Sequence, residues 1–436
     1  MKILIRNARL LDPASQTDRV THLAIAAGRI QAIGDIPSDF HANKEVDATG
    51  LWAIPGLVDL CARTREPGHE HEGMLASELA AAVAGGVTSM VCPPDTEPVL
   101  DEPGLVEMLR FRAGKLHQAR LFPLGALTRG LQGQVLTEMN ELTQAGCVGF
   151  GQADQAVTDI QVLQRALQYA ATFGYTVWLR PQDAHLGQGV AASGALATRM
   201  GLSGVPVAAE TIALHTLFAL MRSTGARVHL CRISSAAGVE LVRQAKAEGL
   251  PLTCDVSINS LHLTDLDMGY FDSRARLSPP LRQQADRKAL RAALADGTID
   301  ALVSDHHPVQ GDEKALPFAE AEPGASGVEL LLSLALKWGQ DEGLTPLQAL
   351  TTVTDRPARI LRQSSPMVPA GAGRIQVGGE ADLCLVDPEE VWQLDPAQMR
   401  SQGRHTPFAF DCTGMSLPAR VRATWVGGHW AWPQTA

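Results

Sequence analysis

Apolar positions in this chain fall into two textures. Between residues 54 and 304, apolar runs of strand length recur at 54–60, 87–92, 120–126, 148–150, 176–179, 227–233, 252–256 and 301–304. Each is followed by a helical or loop crossover. The helical spacing, with apolar residues returning every three or four positions, is clear in 157–173, 210–223, 238–247, 286–295 and 327–338. Continuous apolar runs mark strands covered on both faces, the condition of a parallel sheet. Eight such units in series predict an α/β fold, a (β/α)8 TIM barrel, whose functional side chains gather at the C-terminal ends of the strands.

The two ends of the chain read differently. At 3–11 and 22–33, and again at 381–387 and 420–430, apolar and polar residues alternate in short strands bounded by turns. Two β segments at opposite ends predict one small composite β-sandwich domain, 1–53 plus 372–436, with the barrel at 54–371 inserted between them. Trp425, Trp430 and Trp432 crowd the last strands, where they serve either to pack that domain or as a partner surface.

Composition removes several classes of function. At 436 residues the chain can bury a large core without disulfides. Its formal charge of -10, with 37 basic residues scattered among 47 acidic ones, argues against a nucleic-acid footprint. No apolar run approaches the roughly 20 residues that cross a bilayer, so neither nucleic acid nor membrane is an expected partner. The opening Met1-Lys-Ile-Leu-Ile-Arg6 enters a strand pattern at once rather than a signal-peptide layout, and a cytoplasmic location is expected. The seven cysteines are odd in number and form no Cys-x-x-Cys pair, which favours reduced, buried thiols over a zinc cluster.

Candidate chemistry sits at the exit of the first barrel run, Asp59-Leu-Cys61-Ala-Arg63, followed by Arg65-Glu-Pro-Gly68. This stretch resembles the dihydroorotase family of cyclic amidohydrolases, as do Ser278-Pro-Pro-Leu-Arg282, Arg356-Pro-Ala-Arg-Ile-Leu361 and Gly379-Glu-Ala-Asp-Leu383. The resemblance implies an amidohydrolase-superfamily barrel whose first strand ends in Asp-x-His-x-His, two imidazoles gripping a divalent cation. Cys61 and Arg63 stand at those positions here. Gln152 stands where a bridging carboxylate would follow the fourth strand, and Arg180 and Arg232 stand where histidines would follow the fifth and sixth. At substrate-binding positions Arg65 is kept, while Asp95, Asn259 and Ser278 replace the family residues. After the eighth strand, Ser304-Asp305-His306 keeps the family's Asp-His, in which the aspartate would be the general base.

One lost ligand could be compensated; five, three of them now arginine, could not, because guanidinium is a permanent cation that repels a metal. The expectation is therefore no zinc, no other cofactor and no working catalytic residue. Asp305 becomes a relic, paired to Arg63, Arg180 or Arg232. Arg65 is expected to form a salt bridge with Glu66, Asp59 or Asp95 in preference to holding a substrate anion. His69 and His71, a second i, i+2 pair, read as solvated loop residues, and Cys61 as an inert thiol. The resemblance further implies a non-catalytic subunit that dimerises within a larger hetero-oligomer and supports the catalytic subunit of aspartate carbamoyltransferase in pyrimidine synthesis. The alternative is a divergent cyclic amidohydrolase, dihydroorotase- or hydantoinase-like, with an unusual or absent metal site.

Overall fold

Gly56 divides the first apolar run in two. Trp52–Pro55 pairs with Leu383–Gln393 and with Ile3–Asp12 in the terminal β domain, whereas Leu57–Asp59 pairs with Val87–Cys92 in the barrel. A Cβ on Gly56 would lie 2.2 Å from Thr88 Oγ1, so only glycine passes this crossing point. The run 54–60 is thus two strands in two domains. Periodicity missed the break because both halves are buried. The computed structural model describes residues 1–433; residues 434–436 of the expected 372–436 segment lie outside the described residues.

The β domain is one eight-stranded sheet in the order His429–Trp432, Ser416–Val426, Leu383–Gln393, Trp52–Pro55, Ile3–Asp12, Thr17–Ala26, Arg29–Ile33, with Lys44–Asp47 also alongside Ile3–Asp12. Its ends curl toward each other: Lys44 Nζ lies 3.6 Å from the Trp430 ring centroid, and Arg29 bridges to Glu380. Inward-facing Ile3, Ile5, Leu10, Leu23, Ile25, Leu383, Leu385 and Trp425 fill the space between the layers. Trp425 packs edge-on against Trp430 with centroids 4.7 Å apart, so this pair serves the domain's own core.

The barrel strands are Leu57–Asp59, Val87–Cys92, Arg120–Pro123 continuing as Gly125–Ala126, Phe150–Gly151, Thr176–Leu179, Arg227–Leu230, Leu252–Ser257 and Ala301–Val303. Neighbours pair in parallel, and the ring closes where Ala62 bridges His306 and the Arg63 amide donates to the His306 carbonyl at 2.8 Å. Asp59 clasps this seam. Its carboxylate accepts from the amides of Cys61 at 3.2 Å and Ser304 at 3.1 Å, and from the Ser304 hydroxyl. Burial pushes that carboxyl up to about 6 in spite of these donors. Val58, Leu60, Val91, Phe122, Leu124, Trp178 and Val303 pack the interior, and Ala358 and Leu361 of the helix Asp355–Ser364 close its lower end.

Helix starts fall where caps put them rather than where apolar spacing begins. The fourth crossover helix is Ile160–Phe173, not 157–173, because the Asp159 side chain accepts from the amides of Gln161 and Val162. The run at 327–338 resolves into a 3-10 turn, Val328–Leu330, and the helix Leu331–Asp341. Among the described residues no helix is long and apolar enough to cross a membrane.

Candidate functional site

Among the non-glycine residues with left-handed backbone in the loops leaving the strands at the C-terminal mouth are Arg65 (φ 60), Ala153 (φ 50), Arg232 (φ 58) and Asp305 (φ 51). Such residues cost roughly 1 kcal/mol or more each and persist only where the surroundings hold them. For Arg232 the hold is visible. Its amide donates to Asp255 Oδ1 at 2.7 Å, and Asp255 Oδ2 is bonded to His229 Nε2 at 2.9 Å. The turn sends the Arg232 side chain into the mouth.

Three guanidiniums meet there on one carboxylate. Arg63 donates from Nη2 to Asp154 Oδ2 at 2.9 Å, Arg180 donates from Nη1 to Asp154 Oδ1 at 3.0 Å, and Arg232 Nη2 donates to the same Oδ1. The outer contacts balance the charge. Arg63 Nε reaches Asp95 Oδ2 at 2.8 Å, and Arg232 Nη1 reaches Asp305 Oδ1 and the Ser278 carbonyl, both at 3.0 Å. Arg180 also bonds the Ser278 hydroxyl at 2.7 Å and the Gln182 side-chain carbonyl. Three cations thus face Asp95, Asp154 and Asp305, which satisfies the rule that buried charges come paired.

Electrostatics follow from this packing. Burial would raise the Asp154 carboxyl, but Arg232, Arg63 and Arg180 overcome it and hold the group well below the usual carboxylate range. At Asp305 the balance goes the other way: burial raises the carboxyl against the pull of Arg232 and Arg63. Burial also drives the Cys61 thiol far up, and its sulfur, 3.9 Å from Asp305 Oδ1, is no nucleophile. Little space remains between Cys61 and the cluster. The cavity bounded by Cys61, Arg63, Pro94, Ala153, Trp178 and Arg232 measures about 20 Å³, room for about one water.

Several sequence expectations change. Gln152 does not face the mouth: its amide is buried against Thr128 Oγ1 and the Leu131 carbonyl, both at 2.9 Å from Nε2. The carboxylate in that region is Asp154, two residues on, which sequence reading missed. A count of buried charges could have found it, since three arginines need more than Asp95 and Asp305. Arg65 pairs with Glu72, not with Glu66, Asp59 or Asp95. Glu66 is taken by Arg112, Asp59 by the barrel seam, and Asp95 by Arg63. Ser278 is part of the arginine cluster, whereas Asn259 sits in the short helix Ile258–His262 and no hydrogen bond joins it to the arginines.

The retained histidines are accounted for separately. His306 Nδ1 accepts from the Gly327 amide at 3.1 Å, so its proton is on Nε2, donated to Glu78 Oε2 at 2.7 Å. It points into helix packing, not into the mouth. His307 is kept neutral by burial and by the nearby Arg63 and Arg65. Among the described residues, two trios of His, Cys, Asp or Glu bring ligand atoms within 4.8 Å of one another: His229, Cys231 and Asp255 below the mouth, and His69, His71 and Glu72 beside it. The first is closed, because His229 Nδ1 is bonded to Thr253 Oγ1 at 2.8 Å and Asp255 is occupied on both oxygens. Zinc takes thiolate, imidazole or carboxylate donors. The ligand positions at the mouth offer guanidinium N–H groups that donate hydrogen bonds and repel a cation, so this donor set does not fit the divalent metal that the fold family implies.

Comparison with known proteins agrees with the architecture. A family model described as Dihydro-orotase-like matches residues 50–237, and one described as Amidohydrolase family matches residues 204–431. A Dihydroorotase-like protein of Pseudomonas aeruginosa is 46% identical over 98% of this chain and 99% of its own length. A namesake from Pseudomonas putida is 44% identical over the same shares. A Dihydroorotase of Anaeromyxobacter dehalogenans is 37% identical over 98% of this chain and 97% of its own. In fold, the chain resembles the L-hydantoinase of Arthrobacter aurescens, with a TM-score of 0.85 at 23% identity over 98% of this chain and 95% of that one. The dihydropyrimidinase of Brevibacillus agri follows at 0.83 and 19%, over 99% and 95%. With 46% identity over nearly the full length of both chains and the Amidohydrolase family model matching residues 204–431, this chain belongs to the dihydroorotase-like family of the amidohydrolase superfamily.

Proposed function

We propose that this chain is a non-catalytic member of its family, a structural subunit that has exchanged the metal site for an internal arginine–carboxylate plug. The observation that carries the reading is the convergence of Arg63, Arg180 and Arg232 on Asp154, which leaves about 20 Å³ between Cys61, Arg63, Trp178 and Arg232 and about 200 Å³ on the other side, along Arg180 and Gln182. Small-molecule sites measure roughly 300 Å³ or more. A cyclic amide would have to expel the plug before it could bind. Chemistry points the same way. Hydrolysis needs hydroxide, and metal-bound water has a pKa near 7 against about 15.7 for bulk water. Asp305, engaged by Arg232, has no activated water to deprotonate.

The scaffold with its chemistry removed supports a role in assembly, and the family resemblance suggests the partner: the catalytic subunit of aspartate carbamoyltransferase, held in a hetero-oligomer containing dimers of this chain. Dihydroorotate at millimolar concentration, with zinc or manganese added, is expected to show no hydrolysis above the buffer rate. Mixed with the carbamoyltransferase at micromolar concentration, the chain is expected to elute as one larger species, and Asp305→Ala is expected to leave that species intact. Hydrolysis that disappears in Asp305→Ala would establish instead the divergent cyclic amidohydrolase. Separate elution of the two proteins would remove the partner.

A further inference from the structure

The loop after the first barrel strand holds a second, unrelated arrangement of ligand atoms. His69 Nδ1 lies 3.4 Å and His71 Nε2 3.5 Å from the same oxygen of Glu72, Oε1, and the three atoms all fall within 4.8 Å of one another. A tetrahedral zinc ion with bonds near 2.05 Å separates its ligand atoms by about 3.3 to 3.5 Å. The spacing between each imidazole and the carboxylate is therefore already that of two edges of a zinc tetrahedron. We propose that His69, His71 and Glu72 form a binding site for one zinc-type divalent cation, with the fourth position open to solvent beside the half-exposed His71.

The turn that presents these groups is fixed by its own hydrogen bonds. The His69 amide donates to the Arg65 carbonyl at 2.9 Å and the Glu72 amide to the His69 carbonyl at 3.0 Å. From a distant loop, Gln402 Nε2 clamps the carbonyls of Glu70 and His71 at 2.8 and 2.9 Å. The two imidazoles are thus held near Glu72 before any ion arrives, which lowers the ordering cost of binding. Glu72 is 4% exposed, and its other oxygen, Oε2, is held by Arg65. That contact orients the carboxylate so that Oε1 faces the imidazoles, an outer partner that aims a ligand. Arg65 is a cation near the site, but Glu70 on the same turn, whose carboxylate accepts from the Gly68 amide at 3.1 Å, supplies a second negative charge. The contrast with the mouth is one of donor type: two imidazoles and a carboxylate here, three guanidiniums there.

The site stands outside the plug, so its occupancy is independent of whether the mouth is catalytic. The test is titration of the full chain, purified from chelator, with zinc chloride by calorimetry, backed by the visible absorption of cobalt(II) as a report of coordination geometry. One equivalent is expected to bind in the micromolar range, with at least a tenfold loss of affinity in His69→Ala/His71→Ala and none in Asp305→Asn. Both histidines are partly exposed, so the double variant is expected to melt at the wild-type temperature. No zinc bound at 100 micromolar, or equal uptake by wild type and the histidine variant, overturns the proposal. Zinc lost in Asp305→Asn but kept in the histidine variant overturns it too, and separately shows that the mouth is a metal site.

Discussion

Asp154→Ala is expected to destabilise the fold by about 3 kcal/mol, read as a lowered denaturant midpoint with an unchanged slope. Removing the one carboxylate shared by Arg63, Arg180 and Arg232 leaves three largely buried guanidiniums facing one another, with only Asp95 and Asp305 to offset them. Breaking a buried pair on one side costs roughly 3 to 5 kcal/mol. The lower figure applies because the Asp154 side chain is 26% exposed and water relieves part of the repulsion. Adding Arg63→Met to the Asp154 variant is expected to recover part of the loss, since the double change removes one of the orphaned charges. The pH dependence has a definite sign. The Asp154 carboxyl is held below its ordinary value of 3.8, so its stabilisation is complete above that value and is lost as pH falls through the folded pKa. Acid unfolding of the wild type should therefore contain a component below pH 3.8 that Asp154→Asn lacks. A variant as stable as the wild type, with the same acid limb, would mean that the three arginines do not depend on this carboxylate.

Glu78→Ala is the second large effect, about 3 kcal/mol. Glu78 comes from the first crossover helix, Leu75–Ala84, and is fully buried opposite a fully buried His306. Its two oxygens accept from His306 Nε2 at 2.7 Å, Ser401 Oγ at 2.7 Å, Ser77 Oγ at 2.8 Å and the Gln402 amide at 3.0 Å. Alanine opens a cavity and leaves the fully buried His306 Nε2 without an acceptor, a loss of about 1 to 3 kcal/mol, whereas the Ser77 and Ser401 hydroxyls keep the carbonyls of Met74 and Gly403, both at 2.9 Å. Glu78→Gln keeps the shape and one acceptor oxygen, so an intermediate loss is expected. The same comparison tests the assignment of His306 as a structural residue. An unfolding midpoint for Glu78→Ala within about 0.5 kcal/mol of wild type would show that the network contributes nothing to the fold.

Much of this was legible along the chain, for reasons that differ from residue to residue. The eight apolar runs reported the barrel because a strand buried on both faces must be apolar at every position, whatever its partners. The alternating ends reported the β domain because one face of each strand meets a core and the other meets water. That Arg63, Arg180 and Arg232 leave the ends of barrel strands was also legible, since the apolar runs before them fix the register. Gly56 was not, because its role is a close approach to Thr88 that leaves no periodic trace. Nor was Asp154, which reads as one more polar residue in a loop.

What the sequence determined by itself is therefore the frame: a (β/α)8 barrel, a composite β domain, and arginines at the exits of the first, fifth and sixth strands. What the tertiary structure decided is who meets whom. It gave Asp154 to three arginines, Glu72 to Arg65, Glu78 to His306, and turned Gln152 away from the mouth. The physical reason is that apolar burial depends on a residue's place in a repeating pattern, which is local. The partner of a long polar side chain depends on the direction in which a strand-end turn aims it, as the left-handed Arg232 and Asp305 show. That direction is set by contacts between segments far apart along the chain, Arg232 with Asp255 and Ser304 with Asp59 among them.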